Sequence, residues 1–222
     1  MGAFVELSKY FSRGIVEKAI ELGYTYDNVL ILQGQEKELQ WRYPRIWSNL
    51  QTCSYHRDKR TPMEYAQDLV ASWVFEDCLI KALQDAGLEI SHAGADKGRQ
   101  ILSGSHVSAS SDASISVRGR AVPLEIMCDY TGFWTREGKM DLRDGKYKKL
   151  KNTNSLFLGF STKDNKVILL DFADELTVTF TPSHFAYGGK PAYSVRIPSG
   201  ALCPFKMPVL IREIKNKCFI QR

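Results

Sequence analysis

The chain has 222 residues, 44% of them hydrophobic, enough to build one sizeable core, and it contains no run of about 18 apolar residues that would cross a bilayer. Five cysteines, odd in number, far apart and without a Cys-x-x-Cys pair, argue against zinc ribbons and disulfide scaffolds; the four histidines are equally scattered. A net charge of +5 is only mildly basic, so the distribution of charge carries more information than its sum. The N-terminal MGAFVELSKYF has neither a long apolar stretch nor a small-residue cleavage site, which gives the expectation of a soluble, cytoplasmic protein with no membrane partner.

In chain order, Val16, Ala19, Ile20 and Leu22 predict a short amphipathic helix ending at Gly23. Trp41-Arg42-Tyr43-Pro44-Arg45-Ile46-Trp47 then interleaves aromatics with arginines. Trp41 and Trp47 read as core or interface residues, whereas Arg57, Lys59 and Arg60 read as contacts to phosphates or base edges. Thr61-Pro62-Met63-Glu64 has the form of a capping box, with Thr61 as N-cap and Pro62 at the first helical position. The following helix carries Leu69, Trp73, Ile80 and Leu83 at helical spacing and stops at Gly87. Glu76 falls inside that apolar stripe, the one acid off the polar face, and so calls for a partner or a function.

A stretch rich in Gly, Ser and Ala follows Ile90, with Lys97 and Arg99 as candidate phosphate contacts. Ser111 to Val117 and Val122 to Asp129, joined by a Gly-containing turn, predict a hairpin. Period-two alternation places Glu125, Met127 and Asp129 on one face of its second strand, with Asp112 near the start of the first. A carboxylate within such an apolar strand has to be solvated, paired or bound to a metal, because burying it alone costs several kcal/mol or more, roughly. Two or three converging carboxylates suit magnesium, a hard cation that takes oxygen ligands.

Beyond the hairpin, Arg136 to Lys151 is strongly basic, and a helix is predicted from Met140 to Lys151. Its Lys139, Arg143 and Lys148 are candidate DNA contacts. Two strands, 155–160 and 166–172, come next. Strands at 176–180 and 192–197 flank Phe185 to Lys190 as a protruding hairpin, from which Tyr187, Lys190 and Arg196 reach toward a groove; the plainer reading is a surface hairpin that completes the sheet.

An inward Glu on a helix (Phe75-Glu76), Asp112 on one strand and Glu125 on the next, followed by a helix and further strands, resemble the PD-(D/E)XK nuclease superfamily, which includes many type II restriction endonucleases. The resemblance implies an α/β fold with a central mixed sheet flanked by helices and a restriction-endonuclease-like core. It also implies Mg2+, for which Mn2+ can substitute, held by Asp112, Glu125 and the Ile126 carbonyl, with Glu76 acting directly or through water. The family's lysine lies two residues after the second acid, where this chain has Met127, a side chain without charge or proton to give. Lys146 and Arg143, from the predicted helix, are the candidate replacements.

The expected organisation is a recognition or dimerisation arm at 1–60, a nuclease core at 61–175 and a C-terminal β extension at 176–222. The expected function is a homodimeric, sequence-specific endonuclease of double-stranded DNA in a prokaryotic cell. The alternatives are a Holliday junction resolvase or repair nuclease on the same core, or a DNA-binding protein that has lost catalysis.

Overall fold

A computed structural model of the chain describes residues 14–53, 60–94, 97–101, 111–129, 131–161 and 163–219. Arg57 and Lys59 lie outside the described residues. The chain divides into two compact units. One is built from Leu83–His92 and the described residues from Ser111 onward; the other from the described residues up to Ala82 and from Ala93 to Ile101. These limits differ from the expected 60/61 and 175/176 divisions. The long helix shares its apolar surface with the helices before it, while residues 176–219 belong with the acidic strands.

The helical unit contains α1 (Gly14–Glu21), α2 (Tyr26–Leu32), α3 (Glu36–Arg42), α4 (Pro44–Cys53) and most of α5 (Pro62–Asp85). Leu30, Ile31, Leu39, Leu50, Met63, Val70, Trp73 and Ile101 form its core, with Trp47 packed against it. Trp41, in contrast, is 77% exposed. The start of α5 is a reciprocal capping box: the Thr61 amide donates to Glu64 Oε2 (2.7 Å) and the Glu64 amide donates to Thr61 Oγ1 (3.2 Å). The helix is buried around most of its circumference, which is why its apolar residues are not confined to one stripe.

The second unit holds β1 (Ile90–His92), β2 (Ala113–Val117), β3 (Arg120–Asp129), α6 (Phe133–Glu137), β4 (Lys139–Arg143), α7 (Asp144–Asn152), β5 (Leu156–Ser161), β6 (Lys166–Asp171), β7 (Val178–His184), β8 (Lys190–Arg196), β9 (Leu202–Pro204) and α8 (Met207–Phe219). Six strands form a mixed sheet in the order β1-β2-β3-β5-β6-β9, and three form an antiparallel sheet in the order β4-β8-β7. The expected mixed sheet flanked by helices is thus present. Among the described residues only β3 and β5 pair in parallel, and the chain crosses over between them through α6, β4 and α7. Every residue of β5 is buried, as befits a central strand covered on both faces.

Residues 140–143, expected to open a basic helix, instead belong to the strand β4. Met140 and Leu142 alternate into the core beside Val195, and the strand pairs with β8. The helix begins only at Asp144. The terminal helix α8 was not expected, although Leu210, Ile214 and Cys218 recur on one face at intervals of four and are its buried residues.

One close approach fixes the sheet beneath the crossover. The Trp134 ring of α6 lies over Gly159 so closely that a Cβ there would come within 2.6 Å of it. The glycine is the gap in β5 that accommodates the indole, opposite Met127 in the register.

Candidate active site

Asp112 immediately precedes β2, and Glu125 sits midway along β3 next to Leu124, the partner of Ala113. The hairpin therefore brings the two acids together. The Ile126 amide donates to Asp112 Oδ2 at 2.8 Å, which tethers the loop acid to the strand and uses one of its two oxygens. Glu125 is 3% exposed, and its Oε2 is buried without a hydrogen-bond partner.

From α7, Lys146 Nζ forms an ion pair with Glu125 Oε1. Burial and then the negative charge of Asp112 push the Glu125 carboxyl up to about 8, and the Lys146 ammonium only partly opposes this. While both carboxylates are ionised neither can donate a hydrogen bond, so each oxygen facing the other needs a proton or a cation.

Lys149, one helical turn beyond Lys146, is a member of this site that the sequence reading passed over. Its Nζ is buried without a hydrogen-bond partner. Burial and then the charge of Lys146 lower its pKa, while Glu125 and Asp112 act in the opposite direction. The signal was available: positions i and i+3 share a helix face, and Lys146 was already a candidate. Met127 packs against the core cluster of Trp134, Phe157 and Ile168. It is an apolar core residue, and positive charge arrives from α7 instead.

Asp129, on the same strand face as Glu125, is occupied elsewhere. Its oxygens accept from the Thr131 amide (2.9 Å), the Thr131 hydroxyl (2.7 Å) and the Trp134 amide (3.0 Å), which caps α6. Burial alone would raise its pKa, but the bonds from Trp134, Thr131 and Phe133 outweigh it and hold the carboxyl below its usual range.

Glu76 and Arg99 belong to the helical unit, where each is the other's partner. Arg99 Nη1 lies 3.0 Å from Glu76 Oε2, its Nη2 pairs with Asp77 Oδ1, and its guanidinium stacks over Trp73. Tyr24 donates its hydroxyl to Asp77 Oδ2 at 2.5 Å. Arg99, expected on a phosphate, is 12% exposed and held by two carboxylates, because the α5 acids need a cation where they leave water.

The remaining candidates are on the surface to different degrees. Lys97, Lys190 and Arg196 are exposed. Arg60 pairs with Asp68 at 2.6 Å, and Lys148 with Asp144 at 2.9 Å. Lys139 lies 3.7 Å from Asp141, and the exposed Arg143 stacks over Tyr187. Tyr187 donates its hydroxyl to the Asp141 carbonyl at 2.6 Å, so it braces the hairpin.

The acidic pair fits a hard divalent cation on chemical grounds: two carboxylates face each other, one with an unpartnered buried oxygen. Among the described residues no group of three or more His, Cys, Asp and Glu converges. A cation there would complete its shell with a backbone carbonyl such as that of Ile126 and with water. Among the described residues, no helix is long and apolar enough to cross a membrane. The chain matches no model of a known protein family, and no curated protein matches it.

Proposed function

We propose that this protein is a magnesium-dependent endonuclease of double-stranded DNA, with sequence-specific cutting by a homodimer as the finer reading. The observation that carries it is the buried Glu125 beside Asp112, approached by Lys146 from the helix after the strand. The order of a long helix, three antiparallel strands and a helix–strand–helix crossover into a parallel strand is a second support for the PD-(D/E)XK resemblance.

On this reading Asp112, Glu125 and the Ile126 carbonyl would hold the metal, whose chemistry when bound would be to polarise the scissile phosphate and acidify a water. Lys146 Nζ offsets the Glu125 charge until then and afterwards supplies the cation that the strand lacks at Met127. Lys149 Nζ, buried and without an anionic partner of its own, is available to a non-bridging phosphate oxygen. Neither Glu76 nor Asp129 has a step in this mechanism.

The test is incubation of the purified chain with long duplex DNA of known sequence, with magnesium or chelator, beside Glu125→Ala. Discrete fragments only with magnesium and wild-type protein are expected. Cutting confined to four-way junctions would move the reading to a resolvase. Intact DNA throughout, despite salt-sensitive binding, would leave a DNA-binding protein.

A further inference from the structure

The connection between β7 and β8 is a braced projection. Phe185–Tyr187 form a 3-10 turn, closed by Gly188 and Gly189 at φ of 61° and 80°, where a side chain would be strained. Tyr187 donates to the Asp141 carbonyl, Arg143 lies over its ring at 5.4 Å, and the His184 ring centroid is 5.2 Å from that of Tyr187. His184 Nε2 is in turn 3.2 Å from Asp141 Oδ2, whose other oxygen accepts from Ser194. The turn is therefore fastened to β4 at both Asp141 and Arg143.

On this fastened turn Phe185 is 98% exposed. A flexible loop could fold such a ring away, but this one holds it in water. Two exposed cations flank the turn: Lys190 is the register partner of His184, and Arg143 lies over Tyr187, while Asp141 is bonded by Ser194 and lies beside His184. A protein-docking face is a broad apolar patch, whereas Phe185 stands alone at the tip, between two exposed cations, and the next exposed ring, Phe180, is five residues back along β7.

We propose that Phe185 is a wedge that enters a base step of duplex DNA lying against Arg143 and Lys190. The proposal rests on the DNA reading above and adds how the duplex is deformed. Charge complementarity selects the partner, since the cations around the ring match phosphates on either side of a step. The burial gained by one phenyl ring is of the same order as the cost of unstacking one step, so the wedge succeeds where unstacking is easiest, at pyrimidine–purine steps.

Permanganate oxidation of thymines, which attacks unstacked bases, tests this with the full chain and a long duplex in chelator. Binding is followed in parallel by fluorescence anisotropy. Wild-type protein at saturation is expected to raise thymine reactivity several-fold at TA steps. Phe185→Ala at saturation is expected to lose the increase, and Phe185→Trp to retain it. Bound DNA without enhanced reactivity would overturn the wedge and leave the DNA reading standing, whereas no binding to any duplex would overturn both. A dimer that dissociates on Phe185→Ala in light scattering, with an unchanged thymine pattern, would overturn the wedge in favour of a second copy of the chain.

Discussion

The ammonium of Lys146 on α7 meets the buried carboxylate of Glu125 on β3, beside Asp112. Three charges, two of one sign, thus share a site from which water is largely excluded, and the arrangement costs stability unless another cation joins it.

Glu125→Gln should therefore make the metal-free protein more stable while abolishing cleavage. Removing the charge from a site that disfavours it is worth about 1 kcal/mol, or about 2–4 °C in a chain of this size. Thermal melts at pH 8 in chelator, beside cleavage assays, check both halves. A lowered melting temperature would mean that the Lys146 pair outweighs the desolvation.

Lys146→Met and Lys149→Met should separate. The first leaves Asp112 and Glu125 without their counter-charge and should destabilise by about 2 kcal/mol, discounted because the Lys146 side chain is 26% exposed. The second removes an unpartnered buried ammonium and should leave urea midpoints unchanged or raised. Each should slow cleavage by about a hundredfold, the usual effect of deleting one charge-stabilising donor. Equal loss of stability in the two variants would contradict the assignment of Lys149.

Acid should act on Asp129. Its folded pKa is depressed, so the stability it contributes is present above the unfolded value of about 3.9 and is lost as pH falls through the folded one. Asp129→Asn should cost about 1 kcal/mol at pH 7, a typical loss for a weakened cap. The gap between variant and wild type in denaturant midpoint should narrow as pH falls below about 3.9, the unfolded value. A gap independent of pH would show that packing, not charge, is what the substitution disturbs.

Arg99→Met should destabilise the helical unit by about 3 kcal/mol, because it leaves Glu76 and Asp77 as adjacent carboxylates, each only slightly exposed. Burial, and then the bond to Asp77, raise the Tyr24 phenol far above its usual range, and losing Arg99 should not restore it. A melt within about 0.5 kcal/mol of wild type, the effect of an ordinary surface change, would remove the pairing from any structural account.

Local pattern made the hairpin acids, the capping box and the stop at Gly87 legible, since each depends on residues a few positions apart. Lys146 was legible, together with Arg143, as a cation of the basic segment that follows Met127. What escaped depends on distant partners. Residues 139–143 become a strand because β8, some fifty residues later in the chain, offers an edge; Lys-Met-Asp-Leu-Arg alternates as a strand does, but five residues that run straight into a helical segment are too few to decide it. Arg99 looked like a phosphate contact because its two carboxylates lie on α5, more than twenty positions earlier. Asp129 shares the Glu125 face in the period-two pattern, but the start of α6, five residues on, takes up its carboxylate.

β4 ends at Arg143 and α7 begins at Asp144, with no connecting loop between them. The strand that anchors the projecting turn and the helix that carries Lys146 are consequently one lever without slack. A load applied at Phe185 passes through Tyr187 to Asp141 and Arg143, and from there along a single peptide bond into the helix. Exchanging that hairpin for another would therefore bear directly on where α7 holds its two lysines beside Glu125.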